Sequence, residues 1–191
     1  MGEAPMVEQD LRQTIKMIAV DHFNEHGFHG TTIRNIAKEA GCSLPMVYYY
    51  YKSKRELFHE IIRKDYFGIL DREAQRLEPH DILVFYTAFI HNIMHLSDFE
   101  KKIYRLGIKV YLSFDGDEEL HSLMDEWEAS IVPRHAKLIL PHLGEREDKE
   151  VVVRTCIHVL ENMIERIIVK HQVLTDLEVR EELAFVLQSR R

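Results

Sequence analysis

The chain has 191 residues, enough for one domain or for a small module joined to a larger one, and long enough to bury a core without covalent staples. Cys42 and Cys156 are too far apart and too isolated to form a disulfide framework or a cysteine metal knuckle; with no apolar run near membrane-span length and no basic-then-apolar leader, a cytoplasmic protein without a membrane partner is expected. The net charge of −7 argues against nucleic acid in bulk, yet from Gly27 to Arg55 the cations Arg34, Lys38, Lys52, Lys54 and Arg55 stand against Glu39 alone, a local basic footprint.

Helical periodicity dominates and the turn clusters that separate short strands are missing, so the fold class is all-α. Leu11, Ile15, Ile18, Ala19 and Phe23 recur at helical spacing, and Gly27 ends the first helix near His26, with Phe28 folding back on its last turn. Thr31 or Thr32 caps a short second helix with Ile33, Ile36 and Ala37 inward, and Ala40-Gly41-Cys42 breaks it. Ser43 caps a third short helix with Pro45 in its first turn and Val47 and Tyr51 inward. Ser53 and Glu56 have capping-box spacing and open a long helix carrying Leu57, Ile61, Ile69, Leu70, Ala74 and Leu77, ending at Pro79. Longer helices follow over 82–96, 98–113, 117–140 with an interruption at Pro133, 147–171 and 176–189. The domain boundary falls inside the Ser53 helix, giving domains 1–54 and 55–191.

Three short helices with a tight glycine-containing turn between the second and third have the pattern of a helix-turn-helix, which lays one helix into the major groove. Tyr48, Tyr49, Tyr50 and Tyr51 point about 100° apart around a helix, so they cannot all face one core and at least two must be exposed beside the basic residues. The order Ile18-Ala19, Phe23, Gly27, Thr31 to Ala37, Ala40 to Ser43, Val47 to Lys54 and Leu57 resembles the amino-terminal signature of the tetracycline-repressor (TetR) family. It covers about the first third of the chain.

That resemblance implies a dimeric regulator, usually a repressor, released from double-stranded operator DNA when a small molecule enters its carboxy-terminal domain. Position by position, it implies that Thr32 holds a phosphate and that Arg34 lies near the backbone or a base. It also implies that Leu44, Pro45, Met46, Tyr48, Tyr49 and Tyr50 form the reading surface and that Lys54 grips a phosphate. Where many members carry a polar residue and then Gly, this chain has Leu44 and Pro45, which suits apolar contacts such as thymine methyl groups. Activation in place of repression stays open.

In the second domain, Val152, Cys156, Val159, Met163 and Ile167 form one line, and Val153, Ile157, Leu160, Ile164 and Ile168 its neighbour. A stripe that wide predicts a second partner surface: the same helix of another subunit, so that helices 147–171 and 176–189, with Leu177, Leu183, Val186 and Leu187, build a homodimer. Two reading modules then bind half-sites about 34–36 Å apart on a near-palindromic operator. Helix 82–96 is apolar on almost every side and predicts a buried central helix; His91 and His95 upon it are either hydrogen-bonded or solvent-reaching histidines or a ligand or metal contact. Phe67, Phe85, Phe89, His91, Tyr104, Ile108, Tyr111, Trp127 and Met163 are candidates to line a pocket for a small hydrophobic effector, although aromatic and methionine positions at this spacing also build plain cores. No metal site or cofactor is indicated. Neither a His-Glu-x-x-His pair, nor a phosphate-cradling glycine loop, nor a Gly-x-Ser-x-Gly elbow occurs, so an enzyme is not expected. A purely structural helical dimer would leave the exposed tyrosines and the basic segment unexplained.

Overall fold

The computed structural model describes residues 4–75, 81–112 and 115–188, with the side chains of residues 4–9, 74 and 75 outside that description. Among the described residues all regular structure is helical. The elements are α1 (Ala4–Gly30), α2 (Ile33–Glu39), α3 (Leu44–Tyr50) and α4 (Lys54–Glu60), the last running through a π-helical stretch at Ile61–Tyr66 into α5 (Phe67–Gln75). Then come α6 (Ile82–Met94), α7 (Asp98–Tyr111), α8 (Glu118–Ile139), a 3-10 turn at Leu140–His142, α9 (Lys149–Ile168) and α10 (Asp176–Gln188). Leu77 and Pro79, the expected end of the Ser53 helix, lie outside the described residues, as does the side chain of Ala74. So do Ser113 and Ser189, the last residues of two expected helices.

The chain divides into two compact units, Met1–Ile69 with Asp98–His121, and Leu70–Ser97 with Ser122–Arg191. In the first, Ile15, Ala19 and Phe23 of α1 meet Ile36, Val47 and Leu57 in a core closed to solvent. Phe58 stands edge-on to Phe23 at 4.8 Å and tilts against Phe28 at 5.0 Å, so α4 seals the three short helices. In the second, α6, α9 and α10 pack on one another around Ile90, Ile93, Cys156, Met163, Val179 and Leu183, all buried. Burial pushes the Cys156 thiol up to about 12, so it behaves as a small hydrophobe.

Four expectations need correction. Gly27 does not end α1 outright: its φ of 70° and ψ of 175° kink the helix, and one more turn follows to Gly30. Pro133 does not interrupt α8, because Pro133 and Ala129, whose carbonyl loses its helical donor there, both lie on the exposed side, where that carbonyl is open to solvent. The wide apolar stripe of α9 is largely covered within its own chain: Val152, Val153, Cys156, Ile157, Leu160, Met163, Ile167 and Ile168 are buried beside α6 and α10, as are Leu183 and Val186. What stays uncovered is a different set, Leu177, Phe185, Val173, Val169 and Val151. Finally, α6 is buried on one side only, with Val84, His91 and His95 exposed.

Candidate nucleic-acid interface and effector cavity

The turn between α2 and α3 is set by Gly41, whose φ of +64° suits glycine, and by the Cys42 amide returning to the Ala37 carbonyl. Thr32 is the cap of α2, its hydroxyl accepting the Asn35 amide at 3.2 Å, whereas Thr31 is buried and donates to the carbonyls of Gly27 and His22. Ser43 occupies the cap position of α3 without a side-chain bond. The reason is local: Pro45 has no amide hydrogen, and the Met46 amide is taken by the Ser43 carbonyl. Ser53 does cap α4, accepting the Glu56 amide at 3.0 Å, while the Glu56 carboxylate accepts the amide of Lys52, one residue further back than a capping box places it.

These caps fix α3 with Val47 and Tyr51 inward and with Pro45, Met46, Tyr48 and Tyr49 outward. Tyr49 is 70% exposed, stands edge-on to Tyr50 at 5.2 Å, and leads a face of aromatic and apolar side chains; Leu44 and Tyr50 are half-buried at its margins. Thr32 and Arg34 are exposed at the start of α2, on the same helix-turn-helix. Among the described residues, Arg34, Lys38 and Lys52 have no carboxylate partner, whereas Arg55 is held by Asp117 at 2.8 Å and Glu119 at 3.0 Å. The basic footprint is therefore narrower than the sequence count.

Lys54 is placed differently from a plain phosphate grip. Its ammonium donates to the carbonyls of Phe28 at 2.6 Å and Thr31 at 2.9 Å and lies 4.4 Å from the Phe28 ring centre. The kink at Gly27 leaves backbone groups that helix geometry no longer serves. Asp115 takes the Phe28 amide with both carboxylate oxygens, at 2.8 and 2.9 Å, and Lys109 donates to the Asn24 carbonyl, while Lys54 serves carbonyls at the end of the same helix. Burial holds the Lys54 pKa below its ordinary value, with the Asp115 charge partly opposing the shift.

Within the second unit, α5, α6 and α8 line a half-open cavity of about 160 Å³. Leu70, Phe85, Phe89, Trp127 and Leu138 give it apolar walls; Asp71, Tyr86, Arg134 and His135 supply polar groups. The Tyr86 hydroxyl lies 2.6 Å from Nδ1 of His135, and the two rings stack at 5.6 Å and 21°. Burial, aided by the Arg134 charge, lowers His135 to about 4, and burial raises the Tyr86 phenol above its ordinary value. At neutral pH the phenol therefore donates to Nδ1 and the neutral imidazole carries its proton on Nε2.

Of the residues expected to line a pocket, the structure brings Phe85, Phe89 and Trp127 to this cavity. Phe67, Tyr104, Ile108 and Tyr111 belong to the first unit, where Tyr104 stands edge-on to Tyr66 at 5.3 Å. Met163 is fully buried beside α6 and α10. His91 is exposed, stacked on His95 at 4.2 Å and 3.4 Å from Asp176. Sequence reasoning missed Tyr86, Arg134 and His135; the available signal was the Arg134-His135 pair directly after Pro133 on a helix that also carries Trp127.

Residues 18–61 match the family model described as bacterial regulatory proteins, tetR family. The HTH-type transcriptional regulator AcrR of Shigella flexneri is 35% identical over 77 residues, 39% of this chain and only 36% of AcrR. A solved TetR-like transcriptional regulator from Rhodococcus sp. RHA1 superposes with a TM-score of 0.71 at 20% identity, over 93% of both chains. The SmeT–triclosan complex superposes with a TM-score of 0.65 at 20% identity, over 94% of this chain and 90% of that one. Among the described residues no helix is long and apolar enough to cross a membrane. Residues 18–61 thus match the tetR family of bacterial regulatory proteins, and over most of its length the chain has the fold of the solved TetR-like regulator from Rhodococcus sp. RHA1.

Proposed function

We propose that the chain is a cytoplasmic homodimeric repressor that reads a near-palindromic operator and leaves it when a small effector with a hydrophobic body occupies the cavity of α5, α6 and α8. Residues 1–54 are the DNA-reading domain, and residues 55–191 the effector-binding and dimerisation domain. The observation that carries the reading is the outward face of α3. Tyr48 and Tyr49 are exposed on a helix whose opposite side is locked into a capped helix-turn-helix, and large exposed aromatics without a core to fill suit base edges and phosphates. Met46, Leu44 and Pro45 add apolar contacts suited to thymine methyl groups. Arg34, Lys38 and Lys52, which have no carboxylate partner among the described residues, supply with the Thr32 hydroxyl phosphate contacts that set register without reading sequence. The third ammonium hydrogen of Lys54 remains for a phosphate once two have gone to carbonyls.

Dimerisation is supported by the apolar side chains that α9 and α10 leave uncovered. Leu177 and Phe185, eight residues apart on one face of α10, are 64% and 78% exposed. The SmeT–triclosan complex supports the effector half of the reading, as a protein of the same fold with triclosan bound.

The test is selection of the purified protein against random duplex DNA at moderate and high salt, followed by sequencing of what is retained. A two-fold symmetric enriched site, bound less tightly as salt rises, is the expected result. Retention of no sequence above background would overturn the reading.

A further inference from the structure

We propose that the cavity of α5, α6 and α8 takes a small aromatic monocarboxylate, its ring between Phe85, Phe89 and Trp127 and its carboxylate on Arg134 and the Nε2–H of His135. The proposal rests on the effector reading for the consequence of binding, and on the cavity's own chemistry for what binds. Size comes first. Ligand pockets commonly run to about 300–1,000 Å³, and one of about 160 Å³ that opens to solvent suits a single ring, with any longer chain left outside its walls. Three of the five apolar wall residues are aromatic, and their faces suit a flat ring better than a branched aliphatic body.

The polar groups then select the substituent. Arg134 and His135 are consecutive on α8, and both line the cavity. Among the described residues no carboxylate pairs with Arg134; its guanidinium lies 5.4 Å from the Trp127 ring centre, held over the wall by the ring's negative face. His135 is fixed as a donor, because Tyr86 occupies Nδ1 and burial keeps the imidazole neutral. Arg134 and His135 thus offer a ligand one cationic and one neutral donor side by side. A group that accepts both, and gains from the charge, is a carboxylate. Asp71 is the acidic residue at this cavity; it is exposed, and its charge disfavours a second anionic group on the ligand, hence a monoanion.

The chain's single tryptophan is Trp127, so its fluorescence reports this cavity directly. The full chain is titrated with benzoate and with benzamide, a neutral molecule of nearly the same shape. Benzoate is expected to give a saturable change at a concentration at least about tenfold below that for benzamide, the worth of a charge-assisted hydrogen bond. Arg134→Gln, an exposed position whose replacement should leave the circular dichroism spectrum unchanged, is expected to bring the two ligands level. No saturable response to benzoate, equal binding of benzamide, or a preference that survives Arg134→Gln overturns the proposal. The regulatory reading is scored separately on operator DNA. Benzoate that binds but leaves operator affinity unchanged refutes effector release alone; operator binding by a chain that ignores benzoate refutes the ligand class alone.

Discussion

Lys54 spends its ammonium on two carbonyls that the end of α1 leaves without helical donors, and that use predicts a phenotype different from that of a pure phosphate contact. Lys54→Ala is expected to cost about 2–3 kcal/mol of stability, because two charge-assisted bonds are lost and half-buried carbonyls go unserved; urea unfolding measures it. Lys52→Ala, at an exposed cation with no carboxylate partner among the described residues, is expected to change stability by less than about 0.5 kcal/mol and to lower the salt slope of DNA binding by about one per subunit. An unchanged urea midpoint in Lys54→Ala would show that the carbonyl bonds carry no net stability. His135 makes a second prediction at this scale. Its folded pKa of about 4 lies below the ordinary value of 6.5, so between those limits the unfolded chain binds a proton that the folded chain refuses. Stability from this group is fully present above pH 6.5 and falls as the pH drops toward 4, by about 3 kcal/mol in all. His135→Gln is expected to flatten that portion of the stability–pH curve; a curve identical to that of the parent protein would mean that the imidazole is not held neutral.

At the scale of single elements, the π-helical stretch Ile61–Tyr66 carries the buried ring of Tyr66 directly against Gly107 of α7. A Cβ at Gly107 would sit 2.4 Å from that ring, which no rotamer relieves without moving a fully packed aromatic. Gly107→Ala is therefore expected to destabilise by about 1–2 kcal/mol, since overpacking outweighs the helix-propensity gain of alanine. Tyr66→Leu in the same chain is expected to recover part of the loss, a coupling that a double-mutant cycle in urea reads out. No coupling would mean that the two elements accommodate the methyl group elsewhere. The same scale separates what was legible in the sequence from what was not. Thr32, Ser53 and Gly41 act through neighbours three to five residues away, and local pattern finds such partners. The inward turn of Val47 and Tyr51 follows from helical period alone. Ser43 misled because Pro45 removed the donor its hydroxyl would have served. Lys54 and Asp115 meet the kink from 26 and 87 residues away from Phe28, and no local pattern carries that. The Tyr86–His135 pair spans 49 residues and was hidden for the same reason, whereas Phe85, Phe89 and Trp127 could be named because large aromatic side chains tend to be drawn out of water in any fold.

For the whole molecule, the covering of the α9 stripe by α6 and α10 shifts the weight of the dimer argument onto residues the chain leaves in water. A single helix-turn-helix touches few base pairs, so operator affinity depends on two modules bound together. If Leu177 and Phe185 are the centre of the two-fold interface, replacing both with Glu sets like charges against one another across the axis and removes the apolar area that holds the chains. The doubly substituted chain is expected to sediment with the mass of one chain where the parent sediments with the mass of two. Its circular dichroism should not change, because both side chains are exposed within one chain. Its affinity for a full operator is expected to fall by about a hundredfold or more, toward that of one module on one half-site. Benzoate binding followed through Trp127 should survive, since neither residue lines the cavity. A variant that keeps the mass of two chains would place the interface on another face; one that becomes a monomer yet holds the operator as tightly as before would show that the two modules do not act together.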